Sequence, residues 1–444
     1  MAEREGSIAA DAKPVKPGRG DGPRIVFLHF TAPPIVGGVE AVIAEHVRWF
    51  KESGFESLVL AGRVAAGAVG TSPGAERIPE MDSENPEYLR LLPELKEGDM
   101  PEAFRDLQTK IETRLRQILR PDDVVIAHNI LTTHFNLALT ASVHALAASG
   151  DISHLIVWCH DISRHVNPER DAPQYDGQPW DLLRTRIPGA MYVAVSSTRQ
   201  RTLAGILNCT PGSIEVIPNG VDVTQLLGLS DLGRHLFAEF DLLSADLILL
   251  MPVRITKAKN IDFAVHVVEE LKASGQITRL LITGPPDPHV PDISEYLAAL
   301  LGMRETLDLR REVIFLYQGT SHYPNPLELG PEHVGELYRI CDLVLMPSIR
   351  EGFGMPVLEA GMVDRPVFAT SIPVTQDLPE FRYFIERDET PYSVARRIRE
   401  WAEGDAAHRV RREVRGNFTW SRIFQRKILP MVQRSIEAHA GTRP

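Results

Sequence analysis

Along this chain, short continuous apolar runs alternate with segments whose apolar positions recur every three or four residues. RIVFLHF, Arg24 to Phe30, is an uninterrupted run of buried-strand length. A helical pattern follows from about Val39 to Phe50 and stops at Ser53-Gly54, after which SLVLAG is again strand-like. Strand, helix and strand in so short a stretch read as a βαβ unit of a parallel sheet. DVVIAHN from Asp123, HLIVWCH from His154 and MYVAVSS from Met191 are further buried strands. The pattern then restarts. DLILLMPV from Asp246 precedes a helix with Phe263, Ala264, Val267, Val268 and Leu271 on one face; RLLITG, DLVLMPS from Asp342 and PVFAT from Pro366 follow as strands. Three helices are expected to end at Ser-Gly pairs, Ser53-Gly54, Ser149-Gly150 and Ser274-Gly275, where glycine takes the left-handed conformation without a Cβ clash.

Two successive α/β halves imply two Rossmann-like, doubly wound domains facing each other across a cleft. Pro218-Asn219-Gly220 is strong turn chemistry and sets the junction. The expected division is a disordered tail over 1–23, one domain over 24–222, a second over 223–415, and a C-terminal helical segment over 416–444 that breaks or kinks at Pro430. Residues 64–121 read as a looser, proline-containing insertion with short helices.

Composition narrows the class. The 444 residues are 43% hydrophobic and 24% charged, ordinary for a globular chain with two cores and unlike a disordered or disulfide-built one. Against 48 basic residues stand 59 acidic ones, a net charge of −11, which argues against a general nucleic-acid binder. An anionic ligand would therefore need a local cationic site. No apolar run approaches the roughly 18 residues of a membrane span, and the polar N-terminal stretch has no hydrophobic signal core. Cys159, Cys209 and Cys341 form no C-x-x-C pair, so a reducing cytoplasm is the expected location.

The segment with most chemistry is LVLMPSIREGFGMPVLEAGM, Leu343 to Met362. A strand ends, Glu351-Gly352-Phe353-Gly354 form a short loop, and Pro356 sits where a first helical turn begins. Glycines allow close backbone approach to a ligand, and a helix N-terminus offers free N–H groups to an anion. Glu351 and Glu359 bracket that place, and a carboxylate there can accept hydrogen bonds from ribose or sugar hydroxyls. The plain alternative is a strand–loop–helix with solvated glutamates.

Glu-Gly-Phe-Gly-Met-Pro-Val-Leu-Glu-Ala resembles the paired-glutamate motif of family 4 retaining glycosyltransferases of GT-B fold. Further matches occur in the family's order. Gly37-Gly38-Val39-Glu40 resembles its N-terminal Gly-Gly loop, His160-Asp161 its donor-sugar histidine region, Ile217 to Asp222 its interdomain segment, and Arg254 with Lys259 its diphosphate-binding cations. The resemblance implies a nucleotide-diphosphate sugar as donor and no other cofactor. Donor-binding residues would be Gly37, Gly38, Arg254, Lys259, Gly352, Phe353, Gly354 and Glu359, the last on the ribose. Glu351, His160, Arg254 and Lys259 would serve the reaction, with Glu351 positioning and stabilising charge beside the transferred sugar and not acting as a nucleophile. The chain departs from the family after Thr370, where Ser371-Ile372-Pro373-Val374 replaces small residues.

Between Asp161 and Gly189 lies a strand-poor segment with Arg164, Arg170, Arg184, Tyr175 and Trp180. Cations suit a phosphate or carboxylate and aromatic faces suit a sugar ring. A small anionic acceptor is expected there, held by Asp161, Arg164 and Arg184; a solvated loop is the bland alternative. A lipid or polysaccharide acceptor is the competing substrate class, because Leu107, Ile111, Leu115 and Ile118 share a helix face amid Arg105, Lys110, Arg114, Arg116 and Arg120. A sugar-nucleotide epimerase and a non-catalytic nucleotide-sugar sensor are the other readings. The histidines from His128 to His165 lack both H-E-x-x-H spacing and paired cysteines, so no metal site is expected.

Overall fold

The computed structural model describes residues 23–65, 74–167, 169–323 and 326–440. The expected tail therefore lies outside the described residues, except for Pro23. The chain forms two compact units: residues up to Gly220 together with those from Trp420 onward, and Val221–Thr419.

The first unit holds seven strands: β1 (Ile25–Thr31), β2 (Ser57–Arg63), β3 (Gly74–Arg77), β4 (Val124–His128), β5 (His154–Cys159), β6 (Met191–Ala194) and β7 (Ile214–Val216). Their order is β3-β2-β1-β4-β5-β6-β7, with every pairing parallel. Both faces are covered, as a parallel sheet requires. Along β1, Ile25 and Phe27 point into one core with Val42, Ile43, Val47 and Phe50 of helix Gly38–Glu52. Val26, Leu28 and Phe30 point into the other, with Leu107, Ile111 and Leu115 of helix Glu102–Ile118 and Leu139, Val143 and Leu146 of helix Leu137–Ser149.

The second unit repeats the plan with β8 (Leu247–Met251), β9 (Thr278–Ile282), β10 (Val313–Phe315), β11 (Leu343–Met346), β12 (Val367–Thr370) and β13 (Phe384–Ile385), ordered β10-β9-β8-β11-β12-β13 and again parallel. Both orders are the doubly wound one, in which the chain runs outward in opposite directions from the central pair. The switch points lie between β1 and β4 and between β8 and β11. Helix Ile261–Ala273 buries Ala264, Val267, Val268 and Leu271 on one face of the second sheet, as the apolar spacing predicts. The Ser-Gly stops are also as read: Gly54, Gly150 and Gly275 have φ of 89°, 82° and 83°.

Three features differ from the sequence reading. The stretch over 64–121 carries β3 at the sheet edge and a helix of 17 residues, Glu102–Ile118. That helix buries Phe104, Leu107, Ile111 and Leu115 in its own unit's core, so the apolar face a membrane would need is already occupied. Three of its cations are paired: Lys110 with Glu87 at 3.0 Å, Arg114 with Glu76 at 3.3 Å and Arg116 with Asp151 at 2.9 Å. Second, the C-terminal segment is not a separate appendage. From Trp420 onward, Ile423, Phe424, Ile428, Met431 and Val432 complete the core over β1 and β4 of the first unit. Third, of the break or kink expected at Pro430, the break does not occur. A π-helical turn, Phe424–Ile428, joins Trp420–Ile423 to Leu429–Ala440. A proline lacks the N–H and crowds the carbonyl four residues back, and widening the preceding turn accommodates both defects.

Candidate functional site

In the second unit, the loops leaving β8 and β11 meet at the switch point. The first runs through Arg254 to a 3₁₀ turn, Lys257–Lys259; the second runs from Pro347 to Gly354, where helix Met355–Met362 starts. They are bonded to each other. The Ile349 amide donates to the Ala258 carbonyl at 2.8 Å, and Asn260 Nδ2 donates to the Pro347 carbonyl at 3.1 Å. Between them opens a cavity of about 670 Å³ whose lining includes Arg254, Lys259, Asp287, Arg350, Glu351, Gly352, Phe353 and Gly354.

Lys259 Nζ donates to both carboxylate oxygens of Glu351 at 2.7 Å, and Ser348 Oγ donates to Glu351 Oε1 at 2.8 Å. The Glu351 side chain is only 8% exposed, so its charge is held by this set and not by water. An ammonium has three N–H groups, which leaves one on Lys259 for a ligand oxygen. Arg254 is 59% exposed and lies 3.6 Å from Asp287, a loose pairing that leaves its guanidinium available. Gly354 has φ of 106°, and a Cβ on it would lie 2.6 Å from Ile372 Cδ1 and 2.8 Å from Val374 Cγ1. Only glycine fits there. The Ser371–Val374 departure thus has a structural counterpart: Ile372 and Val374 are buried, the short helix Pro373–Gln376 begins there, and Val374 N donates to the Phe353 carbonyl at 3.1 Å.

Glu359 is not among the residues lining this cavity. It sits on the exposed side of helix Met355–Met362 and accepts a 2.5 Å hydrogen bond at Oε2 from Tyr338 OH. Burial, and then the Glu359 carboxylate, push the Tyr338 phenol well above its usual pKa, so it remains a donor. Tyr338, Arg350 and Asp287 were missed by the sequence reading. Arg350 directly precedes Glu351, but nothing local marks Tyr338 or Asp287.

In the first unit the expected residues follow the C-terminal ends of β1 and β5. Gly37 is the N-cap of helix Gly38–Glu52. His160 lies just past β5, with its Nε2 2.9 Å from His128 Nδ1 at the end of β4. His29 on β1 places Nδ1 3.0 Å from the His128 carbonyl and Nε2 3.7 Å from Glu40, which also accepts from Thr31 Oγ1. Asn129, at φ 59°, accepts the amides of His160 and Asp161 on Oδ1 at 2.8 and 3.0 Å and so shapes this loop. Burial, then the His29 charge, lowers the His160 pKa to about 3. Burial also lowers His128 well below its ordinary value, and His160, His46 and His29 add to the effect. His29 and Asn129 were read only as parts of strands, and His128 otherwise only as one of the histidines weighed and set aside as metal ligands.

The expected acceptor residues are not brought to one point. Asp161 is paired with Arg199 at 2.9 Å. Arg184 donates to the Tyr175 carbonyl at 2.9 Å and is paired with Asp181 at 3.2 Å and Asp176 at 3.3 Å. Arg164 is exposed, with Nε 3.4 Å from His165 Nε2. Trp180 is a correction: it is fully buried, its Nε1 donates to the Leu95 carbonyl at 2.8 Å, and it offers no face to a sugar. Among the described residues, no group of three or more His, Cys, Asp or Glu could hold a metal ion, and no helix is long and apolar enough to cross a membrane.

Two family models cover most of both units: residues 36–225 match Glycosyltransferase Family 4, and residues 236–416 match Glycosyl transferases group 1. The chain belongs to glycosyltransferase family 4. Its two Rossmann-like units are the GT-B fold of that family, and the protein is a glycosyltransferase. Mannosylglucosylglycerate synthase of Petrotoga mobilis is 25% identical over 365 residues, 76% of this chain and 81% of that protein. D-inositol 3-phosphate glycosyltransferase of Nocardia farcinica is 31% identical over 276 residues; the match takes in 60% of this chain and only 57% of that relative's length. The solved sucrose-phosphate synthase of Thermosynechococcus elongatus aligns with a TM-score of 0.37 and 15% identity, covering 94% of this chain and 100% of the other.

Proposed function

We propose that this family 4 glycosyltransferase moves a hexosyl group from a nucleotide-diphosphate sugar to a hydroxyl of a small anionic acceptor, with retention and without a metal. The observation that carries the reading is the convergence of Arg254, Lys259 and Glu351 on one cavity at the second sheet's switch point, where doubly wound sheets bind nucleotides. As the glycosidic bond breaks, negative charge grows on the departing diphosphate. Arg254 and the remaining N–H of Lys259 are cations already in place to receive it, so little reorganisation opposes the step. Glu351, held by Lys259 and Ser348, is fixed beside the transferred sugar, where it orients hydroxyls and balances developing positive charge. Glu359 offers Oε1 to the ribose while Tyr338 holds Oε2.

The first unit is assigned the acceptor; its Gly37 and Gly38 are assigned to the donor, Gly38 through its amide to the diphosphate, and His160 to the donor sugar. Arg164 is the cation best able to take an acceptor anion, since Arg184 is already engaged by two carboxylates. The names of the two relatives specify a glycerate and an inositol phosphate, both anionic, which favours this acceptor class over a lipid.

The test starts with thermal unfolding against UDP, GDP, ADP and their sugar conjugates. A ligand at 100 times its Kd stabilises by about 2.7 kcal/mol, which a melting curve detects. The responding donor is then incubated with sugar phosphates and hydroxy acids, with and without EDTA, and the product's anomeric configuration is read by NMR. No response from any nucleotide at millimolar concentration refutes the cavity assignment. Inverted product, or loss of activity in EDTA, refutes retention or metal independence respectively. Epimerised donor with no acceptor requirement favours the epimerase, and binding without turnover favours the sensor.

A further inference from the structure

We propose that His128 is a positioning residue that holds His160 as its Nδ1–H tautomer, so that His160 meets the sugar as a hydrogen-bond donor and not as an acceptor. This rests on the assignment of His160 to the donor sugar. The two rings lie 19° from coplanar, with centroids 5.2 Å apart and His128 Nδ1 2.9 Å from His160 Nε2. Near-coplanar rings at that spacing place each nitrogen in line with the other, the geometry of a lone pair accepting an N–H in the ring plane. Both rings are neutral at ordinary pH, so one hydrogen lies between them and belongs to one ring or the other.

The surroundings of His128 decide which. Its Nε2 is buried without a hydrogen-bond partner, in a nest formed by Phe27, His46 and Trp158, whose ring centroids lie 6.0, 5.6 and 5.7 Å from its own. If the shared hydrogen were on His160, neutral His128 would carry its own on Nε2 and bury an N–H donor with no acceptor, which proteins rarely do. Trp158 Nε1 is already such a donor in the same nest. With the hydrogen on His128 Nδ1, its Nε2 is instead a bare ring nitrogen, and His128 buries no N–H without an acceptor. His160 Nε2 is then the acceptor, and its own hydrogen must sit on Nδ1. Among the described residues His160 Nδ1 has no bonding partner, and it is not one of the enclosed unpartnered atoms, so it is open to a ligand. A free imidazole side chain prefers the opposite tautomer, so this arrangement is imposed by the neighbour.

The test is ¹⁵N NMR of the imidazoles in histidine-labelled protein, with the His160 signals identified by their loss in His160→Gln. The expected spectrum shows a protonated Nδ1 and a bare Nε2 for His160. His128→Phe keeps the ring in its nest but removes the bond; His160 should revert to the Nε2–H form, and kcat should fall tenfold or more while the donor KM stays within about twofold. His128→Asn, whose amide N–H can occupy the place of Nδ1–H, should restore both. An Nε2–H signal in the wild type, or an unchanged tautomer in His128→Phe, overturns the proposal. Should His128→Phe fail to fold, the wild-type spectrum and the Asn variant decide it alone. Full-rate transfer by His160→Gln would refute the role assigned to His160, and with it His128's part in the reaction, while the tautomer assignment stood.

Discussion

Lys259 and Glu351 are 92 positions apart in sequence, and each satisfies the other at 2.7 Å. Lys259→Ala should therefore act twice, removing a cation from the departing diphosphate and leaving a nearly buried carboxylate uncompensated. We expect kcat/KM to fall by about 10²–10³, the usual scale for one lost transition-state contact, together with a lower melting temperature; Lys259→Arg should recover more of the stability than of the rate. Steady-state kinetics beside thermal unfolding separates the two effects. Gly354→Ala forces a Cβ against Ile372 at a φ of 106°, so it should destabilise by about 1–3 kcal/mol and weaken donor binding, measured by denaturant unfolding and nucleotide titration. The glycine loop and the Arg254–Lys259 spacing were legible because each is local in sequence. The bond between Lys259 and Glu351, the tie from Tyr338 to Glu359 and the engagement of Arg184 by Asp176 and Asp181 are matters of distance in space, which residue order does not encode.

At the scale of elements, long apolar runs announced the central strands, because a strand buried on both faces shows no polar alternation. The strands that escaped are β7, β10 and β13, of two or three residues and too short to produce a pattern, and β3, whose sequence GAER holds no apolar run. The role of helix Ala406–Asn417 was also hidden. Its Arg415 donates two 3.0 Å hydrogen bonds to Asp342, a fully buried carboxylate at the start of β11, and Arg411 and His408 stand nearby. Burial alone would raise the Asp342 pKa; the charge and hydrogen bonds of Arg415, with Arg411 and His408, hold it below the ordinary value. Arg415→Ala should cost about 3–5 kcal/mol, the penalty for stranding one member of a buried ion pair, as read by urea unfolding. The sign for acid follows from the depressed pKa. The pair's contribution is complete above the unfolded carboxyl pKa of about 3.9 and disappears as pH falls through the lower folded value.

For the whole molecule, the first unit should be the more sensitive to mild acid. His29, His46, His128 and His160 all have lowered pKa values, His46 and His160 to about 3 each, with burial as the largest cause. Below the unfolded histidine pKa of about 6.5 the unfolded chain binds protons that the folded unit refuses. Stability is thus complete above about pH 6.5 and declines progressively toward pH 3. Unfolding monitored by Trp158 and Trp420 should weaken measurably between pH 7 and 5, and His46→Phe should flatten that slope; a pH-independent midpoint would contradict the buried neutral cluster.

The two units also differ in when they can be finished. Everything the second unit needs, Val221–Thr419, is consecutive. The first unit has its strands early but lacks Ile423, Phe424, Ile428, Met431 and Val432 over β1 and β4 until the chain beyond Thr419 is supplied. During synthesis the half translated first is therefore the half completed last, and its apolar sheet face must wait uncovered on the ribosome while the later half folds. A stop codon shortly after Thr419 should yield a well-formed second unit joined to a sticky, chaperone-dependent first one, even though every strand of both sheets would still be encoded.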